Sequence, residues 1–130
     1  LDCWCGDIAR ADTVSALQHN RFLRLDRIPL EAAITPIAGK WRSQLDSIHV
    51  TFNLSGNLAH AYQAREEDID NTWLDVNPPV RQIIRKITNT FWFYREIMPY
   101  MEECEIIEPD DVREKFKDKV RSLYLKYAKE

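Results

Sequence analysis

Three arginines and one aspartate crowd into eight residues, Arg21-Phe22-Leu23-Arg24-Leu25-Asp26-Arg27-Ile28, laid over an alternating apolar run. Guanidinium groups present rigid forks of donors that match phosphate and carboxylate oxygens, so this pattern points to binding an anion, phosphate or nucleotide above all. In an extended strand the side chains alternate, placing Arg21, Leu23, Leu25 and Arg27 on one side and Phe22, Arg24, Asp26 and Ile28 on the other. A structural reading stands beside the functional one: Asp26 pairs with a neighbouring arginine, and the remaining guanidinium groups lie over aromatic stems such as Trp4. Arg10 and His19, from the connection that precedes the run, are candidates to join an anion site. Because the chain carries a net charge of −3, attraction for phosphate must come from such a local patch. Lys40 and Arg42 extend the cationic first third, whereas Glu66, Glu67, Asp68 and Asp70 form an acidic run that reads as a solvated face.

Other chemistry is sparse. Cys3-x-Cys5 has the form of half a metal site, but none of His19, His49 and His60 brings a second close pair of ligands, so the cysteines read as small apolar side chains and no metal or cofactor is expected. Trp73, Phe91, Trp92, Phe93 and Tyr94 are either a stacking platform for bases or core aromatics; Phe91, Trp92, Phe93 and Tyr94 cannot all face inward, so one of them meets another chain or domain. No nucleophile with a base partner, paired-carboxylate motif or phosphate-cradling glycine loop is recognisable, and three glycines leave little material for such loops. An enzyme is not expected.

The elements that must position these residues follow from periodicity. Residues 1–8 and 21–34 read as two strands joined by a polar connection, and residues 36–46, with Pro36 and Gly39, as a linker. Ile48, Val50, Phe52 and Leu54 alternate with polar residues as in a half-buried strand. Ser55-Gly56-Asn57 then offers the start of a short helix through Leu58, Ala59 and Tyr62. Residues 69–76 and 80–88 form a candidate antiparallel pair around Pro78-Pro79. Asn89 or Thr90 caps a helix that presents Phe91, Tyr94, Ile97, Met98 and Met101 on one side. After a short strand over 104–107, Val112, Phe116, Val120, Leu123, Tyr124 and Tyr127 make the stripe of a last helix that opens on Pro109-Asp110-Asp111. Strand, helix, strand, strand, helix, strand, helix is the order of an α+β ferredoxin-like sandwich with one added helix.

The run from Arg21 to Ile28 resembles the last strand of a WYL domain, which reads R-x-F-R-L-D-R-I, with Leu23 standing where that family has Phe. Leu1-Asp2-Cys3-Trp4-Cys5-Gly6 resembles the strand that follows the family's Trp-Tyr-Leu. Residues 96–109, from Glu96-Ile97-Met98-Pro99-Tyr100 to Ile106-Ile107-Glu108-Pro109, together with the charged helix after them, are similar to the C-terminal extension of WYL regulators; here Met101 replaces the customary Gly. The resemblance implies residues 1–35 as the end of an Sm-like, SH3-like small barrel that starts upstream, 36–46 as linker, and 47–130 as a ferredoxin-like extension. It further implies the effector-sensing, dimerising portion of a bacterial transcriptional regulator, with members often encoded near phage-defence or CRISPR genes. The effector is anionic, single-stranded nucleic acid in some members, held by a basic pocket that includes the arginine motif. Promoter DNA is bound only through an upstream helix-turn-helix, absent from this sequence, and the partner is a second copy of the chain. Two alternatives remain open: a dimerisation module without a ligand, and a small-molecule sensor with its pocket in the ferredoxin-like unit.

A length of 130 residues allows one modest core or two small lobes. An odd number of cysteines, three, fits a reducing compartment, and no run of about 20 apolar residues offers a membrane span, so a cytoplasmic protein without a membrane partner is expected.

Overall fold

The computed structural model describes residues 1–6, 13–36, 38–39 and 44–129. These residues form an α+β structure in which six strands are described: β1 (Asp2–Trp4), β2 (Asn20–Phe22), β3 (Ile48–Ser55), β4 (Asp68–Val76), β5 (Pro79–Ile87) and β6 (Cys104–Glu108). Three α-helices are interleaved: α1 (Gly56–Ala61), α2 (Thr90–Ile97) and α3 (Asp110–Tyr127). β1 and β2 form a two-stranded antiparallel sheet, and the other four strands an antiparallel sheet in the order β4-β5-β3-β6.

Alternation in β3 decides which face of the large sheet is covered. Val50, Phe52 and Leu54 are buried while His49, Thr51 and Asn53 lie on the other face, and the register carries that division to Ile83 and Ile87 on β5 and Ile106 on β6. Helix residues Ala59, Phe93, Tyr94, Ile97 and Val112 close the core; Phe93 packs on Phe52 with ring centroids 5.8 Å apart. Gly56 opens α1 at φ +59, where a Cβ would also collide with the Glu103 carboxylate. That carboxylate accepts the Asn57 N–H at 3.0 Å, satisfying one of the free donors at the helix start. The Asn89 side chain accepts the Trp92 N–H at 3.1 Å and so caps α2.

The N-terminal segment docks on this unit. Val14 and Leu17 belong to the same core as β3 and α2. Asn20, 7% exposed, donates to the carbonyls of Asp46 (2.8 Å) and Thr88 (2.9 Å) and accepts the Asp46 N–H at 3.0 Å, so its whole amide is satisfied between the two sheets.

Three expectations need correction. Residues 21–34 are not one strand. The Leu1 amine donates to the Leu23 carbonyl and the Leu23 N–H to the Leu1 carbonyl, both at 2.8 Å, and beyond that pair no strand faces the chain among the described residues. Leu25–Arg27 instead closes a 3₁₀ turn, so the alternating-face assignment of Arg21, Leu23, Leu25 and Arg27 against Phe22, Arg24, Asp26 and Ile28 holds no further than Leu23. On α2, Phe93 takes the inward position, while Phe91 is 52% exposed and Trp92 64%. α2 ends at Ile97 and gives way to a 3₁₀ segment, Met98–Glu103, that begins around Pro99; Met101 therefore leaves the expected face and is 74% exposed. On α3 only Val112 is buried and Phe116 partly so, and the stripe from Val120 to Tyr127 is uncovered.

Candidate functional site

The arginine run lies on the surface and its three guanidinium groups are treated differently. Arg21 turns back on the chain, donating from Nη1 to the carbonyls of Gln18 (2.7 Å) and Asn20 (3.1 Å). Arg24 forks onto Asp26, Nε to Oδ1 at 3.0 Å and Nη2 to Oδ2 at 2.5 Å, and this guanidinium holds the Asp26 carboxyl below the usual carboxylate range. Both side chains remain about three-fifths exposed (62% and 63%). With the one carboxylate occupied, Arg27 on the same 3₁₀ turn has no hydrogen-bonded or ionic side-chain partner among the described residues. Three guanidinium groups against one carboxylate leave the run at +2. His19 stands on the Trp4 ring, centroids 4.9 Å apart, with Nδ1 2.9 Å from the Cys5 carbonyl oxygen, and Trp4 Nε1 donates to Asp46 at 2.9 Å. These two residues shape the hairpin that carries the run. Arg10, Lys40 and Arg42 lie outside the described residues.

A second charged cluster, not singled out from the sequence, is buried between the large sheet and the helices. Arg85 on β5 is 3% exposed, yet its alternation places it between Ile83 and Ile87 on the inner face. Nε donates to Asp68 Oδ1 at 2.7 Å, Nη1 to Glu96 on α2, and Nη2 to the Tyr62 hydroxyl; the guanidinium lies 5.3 Å from the Phe52 centroid. The Tyr62 hydroxyl in turn donates to Asp68 Oδ2 at 2.5 Å, and the Arg65 N–H to the same oxygen at 2.9 Å. Each buried side-chain nitrogen and oxygen of this nearly inaccessible ion pair thus has a hydrogen-bond partner. Burial works against the Asp68 carboxylate, but Arg85, the Arg65 N–H and Tyr62 outweigh it and hold the carboxyl below its ordinary value. Burial likewise opposes the Arg85 charge, and Asp68 and Glu96 more than offset it, whereas burial and the hydrogen bond to Asp68 push the Tyr62 phenol up.

Beside this cluster opens a cleft of about 350 Å³ whose lining includes Phe22 of the N-terminal hairpin, Trp92 of α2, Arg65, Arg85 and Glu96. Arg65 Nη1 sits 3.2 Å from Glu96 Oε1 and is half exposed. The other named aromatics separate by role: Phe93 and Tyr94 are core, Trp73 covers His60 and Arg81, and Phe91 carries the Arg95 guanidinium 4.2 Å from its centroid. Cys3 and Cys5 are free thiols, and among the described residues no group of three or more His, Cys, Asp or Glu is placed to hold a metal ion. Burial pushes the Cys104 thiol up to about 12, which keeps it protonated at neutral pH. No helix among the described residues is long and apolar enough to cross a membrane. No protein-family model, curated protein or solved structure matches this chain.

Proposed function

We propose that this chain is the effector-sensing and dimerising portion of a WYL-type transcriptional regulator acting in the cytoplasm, and that its turn at Arg24 and Arg27 binds an anionic ligand, single-stranded nucleic acid or a nucleotide. The observation that carries the reading is the state of Arg27. Asp26 is engaged by Arg24 in a two-bond fork, so the turn presents an uncompensated guanidinium to solvent beside a second, half-neutralised one. An arginine held for structure alone would share that carboxylate or turn to backbone, as Arg21 does. The order β-α-β-β-α-β from β3 to β6, with neighbours β4-β5-β3-β6 all antiparallel, supports a ferredoxin-like unit for the C-terminal extension. The β1–β2 pair stands for the last strands of the small barrel. Operator recognition belongs to an upstream helix-turn-helix.

Fluorescence anisotropy of a labelled single-stranded oligonucleotide, titrated at low and high salt, tests the reading. Single strands give a slope of log K against log salt of about −0.7 per phosphate neutralised, so Arg24→Glu/Arg27→Glu removes about 1.4 from the slope and most of the affinity. Unchanged affinity in a variant that melts like the wild type overturns the assignment. One rival has an observation of its own. The cleft lined by Phe22 and Trp92 sets aromatic rings beside charged groups, among them Arg65 and Glu96, able to orient a small polar ligand. Ligand binding that survives Arg24→Glu/Arg27→Glu and fails in Trp92→Ala favours it.

A further inference from the structure

We infer that the uncovered end of α3 docks on strand β4 of a second copy of this chain. The two surfaces are complementary in charge and alike in uncovered apolar area. Residues 114–129 hold six bases against Glu114 and Asp118, a net of +4 in a chain whose total is −3. Lys117 is paired with Glu114 at 3.0 Å, while Arg121 and Lys126 on the last turns of α3 and Lys129 just past them are exposed. Along the same stretch Leu123 (43%), Tyr124 (67%), Leu125 (53%) and Tyr127 (83%) are exposed, more apolar surface than a solvated helix end requires. Residues 66–76 hold five acids and no base. One of the five, Asp68, is turned inward onto Arg85, and Glu66, Glu67, Asp70 and Asp75 stay exposed. Among and next to them Ile69 (52%), Leu74 (52%) and Val76 (73%) are uncovered.

Position makes the contact intermolecular. β4 is one edge of the large sheet and β6, from which α3 departs, is the other. The first turns of α3 are fixed beside β6 by Val112, by Phe116 stacked 5.5 Å from Tyr94, and by the Arg113–Glu105 pair at 3.0 Å. The complementary patches therefore remain open within one chain and meet when two chains pair. β4 also presents an edge backbone, which exposed acids protect from indiscriminate strand pairing until a cationic partner covers them. Resting on the self-association proposed above, this names its surfaces and does not involve the arginine turn.

Sedimentation equilibrium of the chain at low and high salt, with matched charge reversals, is the test. Arg121→Glu/Lys126→Glu and Glu66→Lys/Asp70→Lys each place like charges in the contact and weaken association about tenfold or more. Mixing the two variants, or combining all four changes in one chain, restores opposite charges at the contact and recovers the dimer. Wild-type association also weakens as salt rises. Thermal melts by circular dichroism confirm that each variant is folded, and Lys117→Glu/Arg121→Glu serves if the first α3 variant is not. A dimer that persists in both reversals leaves self-association standing but overturns these surfaces, and so does failure of the mixture to recover. A wild-type monomer overturns both. An α3 variant that stays dimeric but loses oligonucleotide binding assigns the basic helix to nucleic acid instead.

Discussion

Replacing Arg85 by Met removes a buried charge while keeping a chain of similar length over the Phe52 ring, and the loss can be worked from the contacts. Breaking a buried pair by removing one partner costs about 3–5 kcal/mol, because the other charge is left in a low-dielectric site without compensation. Here the stranded group is Asp68, whose side chain is 1% exposed, whereas Glu96, 23% exposed, keeps Arg65 at 3.2 Å and reaches solvent. Asp68 also keeps two donors, the Tyr62 hydroxyl and the Arg65 N–H. These contacts place the expected loss near the lower bound, about 3 kcal/mol, or a fall in melting temperature on the order of 10 °C for a domain of this size. Guanidinium chloride unfolding followed by tryptophan fluorescence measures it. Asp68→Asn is the second arm and the double variant the third. Since much of each single loss is the orphaned partner, the double variant loses less than the sum of the singles by about 1–2 kcal/mol. A loss under about 1 kcal/mol for Arg85→Met, or additive singles, would refute the view that the pair is a desolvated unit rather than a solvated bridge.

Because the folded protein holds Asp68 below its ordinary value of 3.8, that carboxylate's contribution is fully present above the unfolded value and is lost as pH falls through the lower folded one. Melting temperature against pH should therefore drop below about pH 4 in the wild type, with a shallower drop in Asp68→Asn. Met101 sits at φ 49, ψ −131 and is 74% exposed; backbone strain there is on the order of 1–3 kcal/mol, and Met101→Gly relieves it against a chain-entropy cost of about 0.5–1 kcal/mol. Chemical denaturation should show a net gain of about 1 kcal/mol for Met101→Gly and none for Met101→Ala, which keeps the Cβ.

Where a pattern carries its own partner, the sequence was sufficient. Period-two alternation from Ile48 to Leu54 marks β3, residues 69–76 and 80–88 around Pro78-Pro79 match β4 and β5 to within a residue, and Asn89, a candidate cap together with Thr90, does cap α2. The residues of the arginine run alternate just as well, yet alternation describes faces only if another backbone supplies hydrogen bonds, and past Leu23 none does among the described residues. The local fork of Arg24 on Asp26 and the turn bonds from Arg27 and Ile28 to the carbonyls of Arg24 and Leu25 then decide the conformation. Phe91 and Phe93 differ by two positions on a helix of eight residues, too short for the spacing alone to prefer one. The choice was made by Phe52, across the core.

Arg85 left a signal that spacing alone did not decode: a guanidinium at the inward position of Ile83-x-Arg85-x-Ile87. A cation there must bring its own carboxylates, and the sequence held them in two places that looked like surface, the acidic run at Asp68 and the polar side of α2 at Glu96. The acidic run is thus divided. Asp68 faces inward and joins β4 to β5 and the helices, and its neighbours face outward on the edge proposed to receive α3. The two roles can be separated experimentally, since Arg85→Met acts on stability of the single chain and Glu66→Lys/Asp70→Lys on association. If Glu66→Lys/Asp70→Lys instead lowered the monomer's melting temperature by as much as Asp68→Asn, the acids of the run would belong to one electrostatic unit, and the division of buried Asp68 from its exposed neighbours would fail.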